Sequence, residues 1–180
     1  IMVKSAYSFA TKKEKIENYI IVVWVDNESG VLSRVVGLFS GRGYNIDSLA
    51  VAEVDKKRNI SRITISTSGT PQVLQQIKLQ LDKLVPVIKV ADFPKNKKTL
   101  LREMALLKVV SSKVKLEKAR KLCKKYKYTI LDKTEKSFIF EISALKKEID
   151  ELVQKLQPLG LASTSRTGLV AMTKGSETYK

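Results

Sequence analysis

Tyr19-Ile-Ile-Val-Val-Trp-Val25 runs directly into Asp26-Asn-Glu-Ser-Gly30, and Val31, Leu32, Val35, Val36, Leu38 and Phe39 follow. A run of β-branched and aromatic residues with no polar alternation suits a strand covered on both faces. The polar loop breaks it, and the next apolar residues recur at helical spacing with one face to bury. Gly41-Arg-Gly43 ends that helix with residues that tolerate positive φ. Working outward, Ile46, Leu49, Val51 and Val54 make a second strand, and Asp55–Asn59 a polar turn. Ile63 and Ile65 alternate with Thr64 and Ser66 in a third strand. Thr70-Pro71 is an N-cap followed by a proline at the first helical position, ahead of an amphipathic stripe of Val73, Leu74, Ile77, Leu81 and Leu84. Pro86 opens a last strand, Val87–Val90. The order β-α-β-β-α-β is the ferredoxin-like split βαβ unit.

The order recurs. A strand over Arg102–Val110 is followed by a helix carrying Val114, Leu116, Ala119, Leu122, Cys123 and Tyr126. Tyr128–Leu131 and Ser137–Ile142 pair as a hairpin, and Leu145, Ile149, Leu152, Val153 and Leu156 mark a second helix stopped by Pro158. Leu161 and then Leu169–Met172 are expected to finish the sheet. The fold class is therefore α+β, two ferredoxin-like βαββαβ sandwiches. The expected organisation is a polar tail over 1–17, a first domain over 18–93, a linker over 94–101 around Pro94 and its lysines, and a second domain over 102–180. The tail has no apolar core segment and does not read as a secretory signal.

Composition excludes several functions. The 180 residues include 34 Lys+Arg, 18 Asp+Glu and no histidine, for a net charge of +16. Without histidine no Ser-His-Asp or Cys-His mechanism and no His-ligated metal is possible. A single cysteine allows neither an intrachain disulfide nor a Cys-cluster zinc site. No apolar run approaches the ~20 residues that span a bilayer. Residues 94–180 carry +12 of the charge, whereas residues 18–93 carry +2. Lys115, Lys118, Lys121, Lys124 and Lys125 fall on the polar side of one helix, as a solvated surface or a contact for an acidic protein. Nucleic-acid binding is the rival reading. It would use aromatics exposed on a sheet, and only Phe138 and Phe140 alternate suitably; a buried sheet face shows the same pattern.

Cys123 shares the apolar stripe of its helix and reads as a packing residue. No two carboxylates show the spacing of a general acid and base. The informative corner is Asn27–Gly30. The first turn of a helix offers free N–H groups and a partial positive charge, and a glycine there lets a ligand approach the backbone. A second corner, Gly41-Arg-Gly-Tyr-Asn45-Ile46, opens the next strand with another Asn. Each carboxamide offers both donors and an acceptor, which suits an amino acid. The same residue types also build ordinary loops and caps, so spacing alone leaves both readings open.

Asn27-Glu-Ser-Gly-Val-Leu-Ser-Arg-Val-Val-Gly-Leu-Phe-Ser40 and Arg42-Gly-Tyr-Asn-Ile-Asp-Ser-Leu49 resemble the small regulatory subunit of acetolactate (acetohydroxyacid) synthase. Ser61–Ile65, Arg102–Val109 and Arg166–Met172 extend the likeness over roughly residues 18–175. The resemblance implies that the first domain is an ACT domain, which dimerises and binds amino acids at the dimer interface. It implies valine, or another branched-chain amino acid, as feedback effector, with Asn27, Gly30 and Asn45 at the binding positions and Val31, Leu32 and Ile46 shaping the pocket. It implies no catalysis, cofactor or metal in this chain. The partner would be a large catalytic subunit holding thiamine diphosphate, magnesium and FAD, activated by this chain and made sensitive to feedback. Neither nucleic acid nor a membrane is implied as a partner. The implied location is the cytoplasm, or a plastid or mitochondrion in a eukaryote.

Overall fold

The computed structural model describes residues 15–93, 98–176 and 178; the expected tail lies outside these as far as residue 14, and the expected linker over residues 94–97. The decisive apolar run forms strand β1 (Glu17–Asp26), and the helix after it is α1 (Val31–Ser40). Strands β2 (Ser48–Asp55) and β3 (Ile60–Gly69), helix α2 (Pro71–Leu81) and strand β4 (Val87–Asp92) complete the first unit. The antiparallel sheet has the order β2-β3-β1-β4. Thr70 caps α2 through its side chain, which accepts from the Val73 N–H, and Pro71 opens the helix. Alternate residues Ile21, Val23 and Val25 pack beneath both helices with Val35, Phe39, Ile63, Ile65 and Leu81.

The second unit repeats the plan: β5 (Thr99–Val110), α3 (Lys113–Cys123), β6 (Tyr128–Lys133), β7 (Ser137–Ala144), α4 (Lys146–Leu156) and β8 (Leu161–Arg166), ordered β6-β7-β5-β8. Its core unites Ala105, Leu107 and Val109 with Leu116, Cys123, Phe140, Ile142 and Leu152. No helix among the described residues is long and apolar enough to cross a membrane.

Several boundaries differ from the sequence expectation, among them the three that follow. Thr99–Leu101, expected as linker, already belongs to β5. Ile46 precedes β2, which begins at Ser48. Both closing segments pair with β5 as expected, but at different places: β8, whose Ala-Ser-Thr-Ser stretch is almost wholly exposed and so carried no hydrophobic signal, lies beside Ala105–Val109, and Leu169–Met172 adds a strand only along the start of β5. The physical reason lies in the length of β5. Glu103–Val110 pairs with β7, and the overhanging Thr99–Arg102 takes its own partner, β9 (Val170–Thr173).

The β5–β9 ribbon lies on the helix-free face of the first sheet. There Leu169 and Ala171 join Ile20, Val22, Ala91 and Phe93 in a separate core, with Trp24 and Leu101 packed against it. Both faces of β1 are therefore covered, as its unbroken apolar run requires. Arg62 of β3 stacks between Trp24 and Phe93, its guanidinium carbon 5.3 and 5.6 Å from the ring centres, and donates to the Ala171 carbonyl. The Leu169 N–H points to Ser48 Oγ at 3.4 Å.

Gly160 has φ +96°, and a Cβ there would lie 2.4 Å from the Val110 carbonyl oxygen. Gly160→Ala should therefore destabilise by about 2–4 kcal/mol, read as a lower urea midpoint. Gly37, in α1 with open space around it, should show the opposite sign: Gly37→Ala gains about 0.5–1 kcal/mol of helix propensity.

Candidate functional site

At the end of β1 the chain is held by backbone bonds. Asp26 N–H donates to Pro86 O at 2.9 Å, and Asn27 N–H to Asn59 O at 2.7 Å. Asn59 Nδ2 returns a bond to the Asn27 carbonyl at 3.1 Å. The Asn27 backbone is thus clamped to the β2–β3 turn, while its exposed carboxamide makes no hydrogen bond among the described residues. Gly30 is the N-cap of α1 at φ +82°, with no side-chain cap, and nothing lies within 4 Å of where a Cβ would be. The first-turn N–H groups of Leu32 and Ser33 make no backbone hydrogen bond among the described residues and lie at the positive end of the helix. Glu28 is paired with Arg34 at 2.8 Å beside this opening.

The second corner is differently built. Tyr44 packs edge-on against Phe39. The Asn45 carbonyl accepts from Thr67 Oγ1 at 2.6 Å, and Asn45 Nδ2 donates to Asp47 Oδ1 at 2.8 Å. Ser68 Oγ donates to Asp47 Oδ2 at 2.7 Å. Ile46 is half-buried against the first core. Val31 is buried in that core, whereas Leu32 is 38% exposed at the opening.

One chain does not bring these corners together. Asp26 lies opposite Ile60 at the start of β3, whereas Asn45 precedes Ser48, which lies opposite Ser66. Six residues of β3 separate the two levels, about 20 Å of strand. The Asn45 corner leads into β2, the edge strand, and Asn59 ties the Asn27 corner to the turn at the other end of β2, a strand that exposes Val51 (44%) and Val54 (53%).

Catalytic chemistry finds little support elsewhere. Cys123 is fully buried, and that burial pushes its thiol up to about 12. No group of three or more His, Cys, Asp or Glu among the described residues could hold a metal ion. Phe138 and Phe140 lie in the second core with their rings edge-to-face at 5.8 Å, so they offer no stacking platform.

Sequence reasoning missed the polar residues that fix these corners and join the halves. Asn59 (φ 55°) clamps Asn27, and its signal was an Asn ending a polar turn. Glu103, 4% exposed, is held by Arg166 through two 2.7 Å bonds, and Arg166 also reaches Asp150. These bonds hold the Arg166 guanidinium more firmly protonated than usual, with Glu103 the chief cause. Here the signal was an acid inside an apolar strand, which requires a partner when buried.

A βαββαβ unit with sheet order β2-β3-β1-β4 and an uncapped, glycine-led start to its first helix has the architecture of an ACT domain. Residues 21–89 match the family described as AHAS small subunit-like ACT domain, and residues 102–175 match the small subunit of acetolactate synthase. The chain is 37% identical over 159 residues to the acetolactate synthase small subunit of Haemophilus influenzae, covering 88% of this chain and 96% of that one. It is 33% identical to the probable acetolactate synthase small subunit of Archaeoglobus fulgidus, over 88% of this chain and 98% of that one. The crystal structure of the Thermotoga maritima acetolactate synthase small subunit superposes with a TM-score of 0.81 at 31% identity, covering 89% and 99% of the two chains. The chain belongs to the family of acetolactate synthase small subunits, regulatory chains that leave catalysis to the large subunit.

Because the folded thiol is raised to about 12, it stays protonated where an unfolded cysteine ionises near pH 8.5. Its contribution to stability is intact below that pH and is lost as pH rises toward 12. Native protein should react with a thiol reagent at pH 8 far more slowly than urea-unfolded protein, and Cys123→Ala should flatten the alkaline part of the stability profile.

Proposed function

We propose that this chain activates the large catalytic subunit of acetolactate synthase and confers feedback inhibition by valine, bound between the ACT domains of a homodimer. The single observation that carries this is the placement of the two corners near the two ends of the edge strand β2. A two-fold axis that pairs β2 with its copy in antiparallel fashion brings the Asn45–Ile46 corner of one protomer to the Asn27–Gly30 corner of the other. Each site then draws on both chains, which is why one chain leaves it open. Leu32 and Val51, exposed along this edge, supply apolar surface for the pairing.

In this arrangement the valine carboxylate takes the first-turn N–H groups of α1, where the helix charge favours an anion. Its ammonium group takes the side-chain carboxamide oxygens of Asn27 and Asn45, and its isopropyl group contacts Leu32 and Ile46. Val31, directed into the core, sets the position of the turn. Inhibition requires that valine bind one dimer geometry more tightly than another, and the difference is the free energy available to bias the catalytic partner. Thiamine diphosphate, magnesium and FAD belong to that partner, and this chain contributes no catalytic group. The site of action is the compartment that houses the enzyme, the cytoplasm in a bacterial or archaeal cell. The buried Phe138 and Phe140 remove the main support for a nucleic-acid reading.

Isothermal titration with valine, paired with inhibition assays of the reconstituted enzyme, tests the site. Asn27→Ala and Gly30→Asp should each weaken binding by tenfold or more, roughly 1.4 kcal/mol, while activation of the large subunit persists. Mixing Asn27→Ala with Asn45→Ala chains should restore part of the binding, since one of the two sites in the mixed dimer then carries both native corners. Unchanged affinity in Gly30→Asp would remove the helix start from the site.

A further inference from the structure

We infer that the outward face of the β5–β9 ribbon, with the groove beside it, docks an acidic segment bearing a large apolar side chain from the catalytic partner subunit. This rests on the partnership proposed above.

The ribbon extends the second sheet beyond its β6-β7-β5-β8 path, through the overhanging start of β5. Its inward residues, Leu101 and Ala171, help bury the outer face of β1. Strand alternation places Leu100, Arg102, Val170 and Met172 together on the other side, where Leu100 pairs with Met172 and Arg102 with Val170. Leu100 is 42%, Val170 47% and Met172 57% exposed, an apolar cluster on a chain rich in charge. Beside it runs a groove of about 790 Å³ between the ribbon and the start of α4, lined by Leu100 and Leu145 and by Arg102, Lys146, Lys147 and Lys174.

None of those four cations has an ion-pair partner among the described residues. The two acids on the groove are engaged elsewhere: Asp150 holds Arg166, and Asp47 accepts from Asn45 and Ser68. An apolar centre within an uncompensated cationic rim is complementary to a segment that is acidic around an apolar anchor. A second copy of this chain would set the same four cations against each other, on a chain already at +16, so self-pairing is disfavoured. Nucleic acid would satisfy the rim and leave the apolar centre unmatched, and the face holds no aromatic for stacking.

The test uses the full chain and the purified large subunit, with binding measured at low and high salt. Met172→Glu places an acid in the apolar centre, and the double change Lys146→Glu, Lys147→Glu reverses the rim on the exposed start of a helix. Both should weaken association by roughly tenfold or more, and the double change should flatten the salt dependence. Valine titration of each variant should remain as in wild type, which establishes that the ACT domain is intact. Wild-type binding with both variants equally tight would overturn this docking surface and leave the partnership standing. No binding by wild type would overturn the partnership itself, and the docking surface with it. Variants that dissociate the homodimer instead would assign the face to self-association and overturn the proposal.

Discussion

The structure depends on how the outer face of β1 is covered. Ile20 and Val22 are buried to 1% and 0% exposure, although both helices of their own unit lie on the opposite side of the sheet. Full burial of such side chains contributes about 1.5–3 kcal/mol each. Leu169 and Ala171, arriving from the far end of the chain, join Ala91 and Phe93 to complete that burial. Arg62 completes the joint. Its guanidinium is desolvated there, which lowers its pKa, and its charge is offset by two aromatic faces and a carbonyl. The halves are thus mutually dependent, held by a mixed apolar and cation–π contact.

The two units share a plan and differ in how they treat the face their helices leave open. In the second sheet that face mixes exposed Lys108, Ser163 and Ser165 with half-buried Met104, Leu106 and Ile139, and it does not require full cover. In the first it carries Ile20, Val22 and Trp24, and it does. The chain solves the difference with one long strand. β5 serves its own sheet with its C-terminal part and the neighbouring unit with its N-terminal part. The segment after Arg166 continues the joint: Arg166 is locked to Glu103 and Asp150, and Leu169 approaches Ser48 at the beginning of β2. The corner containing Asn45 and Asp47 therefore adjoins residues fixed by the second unit. A change of geometry at that corner has a direct physical route into the rest of the chain.

The β-α-β-β-α-β order was legible twice in the sequence because each strand or helix with a buried face carries its own periodicity. Thr70-Pro71 and the unbroken Tyr19–Val25 run announced a helix start and a strand covered on both faces. β8 was not legible, since an exposed edge strand of Ala, Ser and Thr has no apolar pattern to detect. Nor was β9's place along β5. Its apolar alternation fits any sheet, and only the length of β5 decides where it pairs.

Of the site, the sequence by itself determined the chemistry: a glycine-led helix start, two asparagines, and no histidine to support catalysis. Those are properties of residue type and local conformation, which neighbours in the chain control. Tertiary structure alone decided that Asn27 is clamped by Asn59, that Val31 is buried in the core while Leu32 is exposed, and that the two corners lie a strand's length apart near the two ends of β2. Those facts depend on which strands pair and in what register. Pairing joins residues distant in sequence, so no local pattern encodes it.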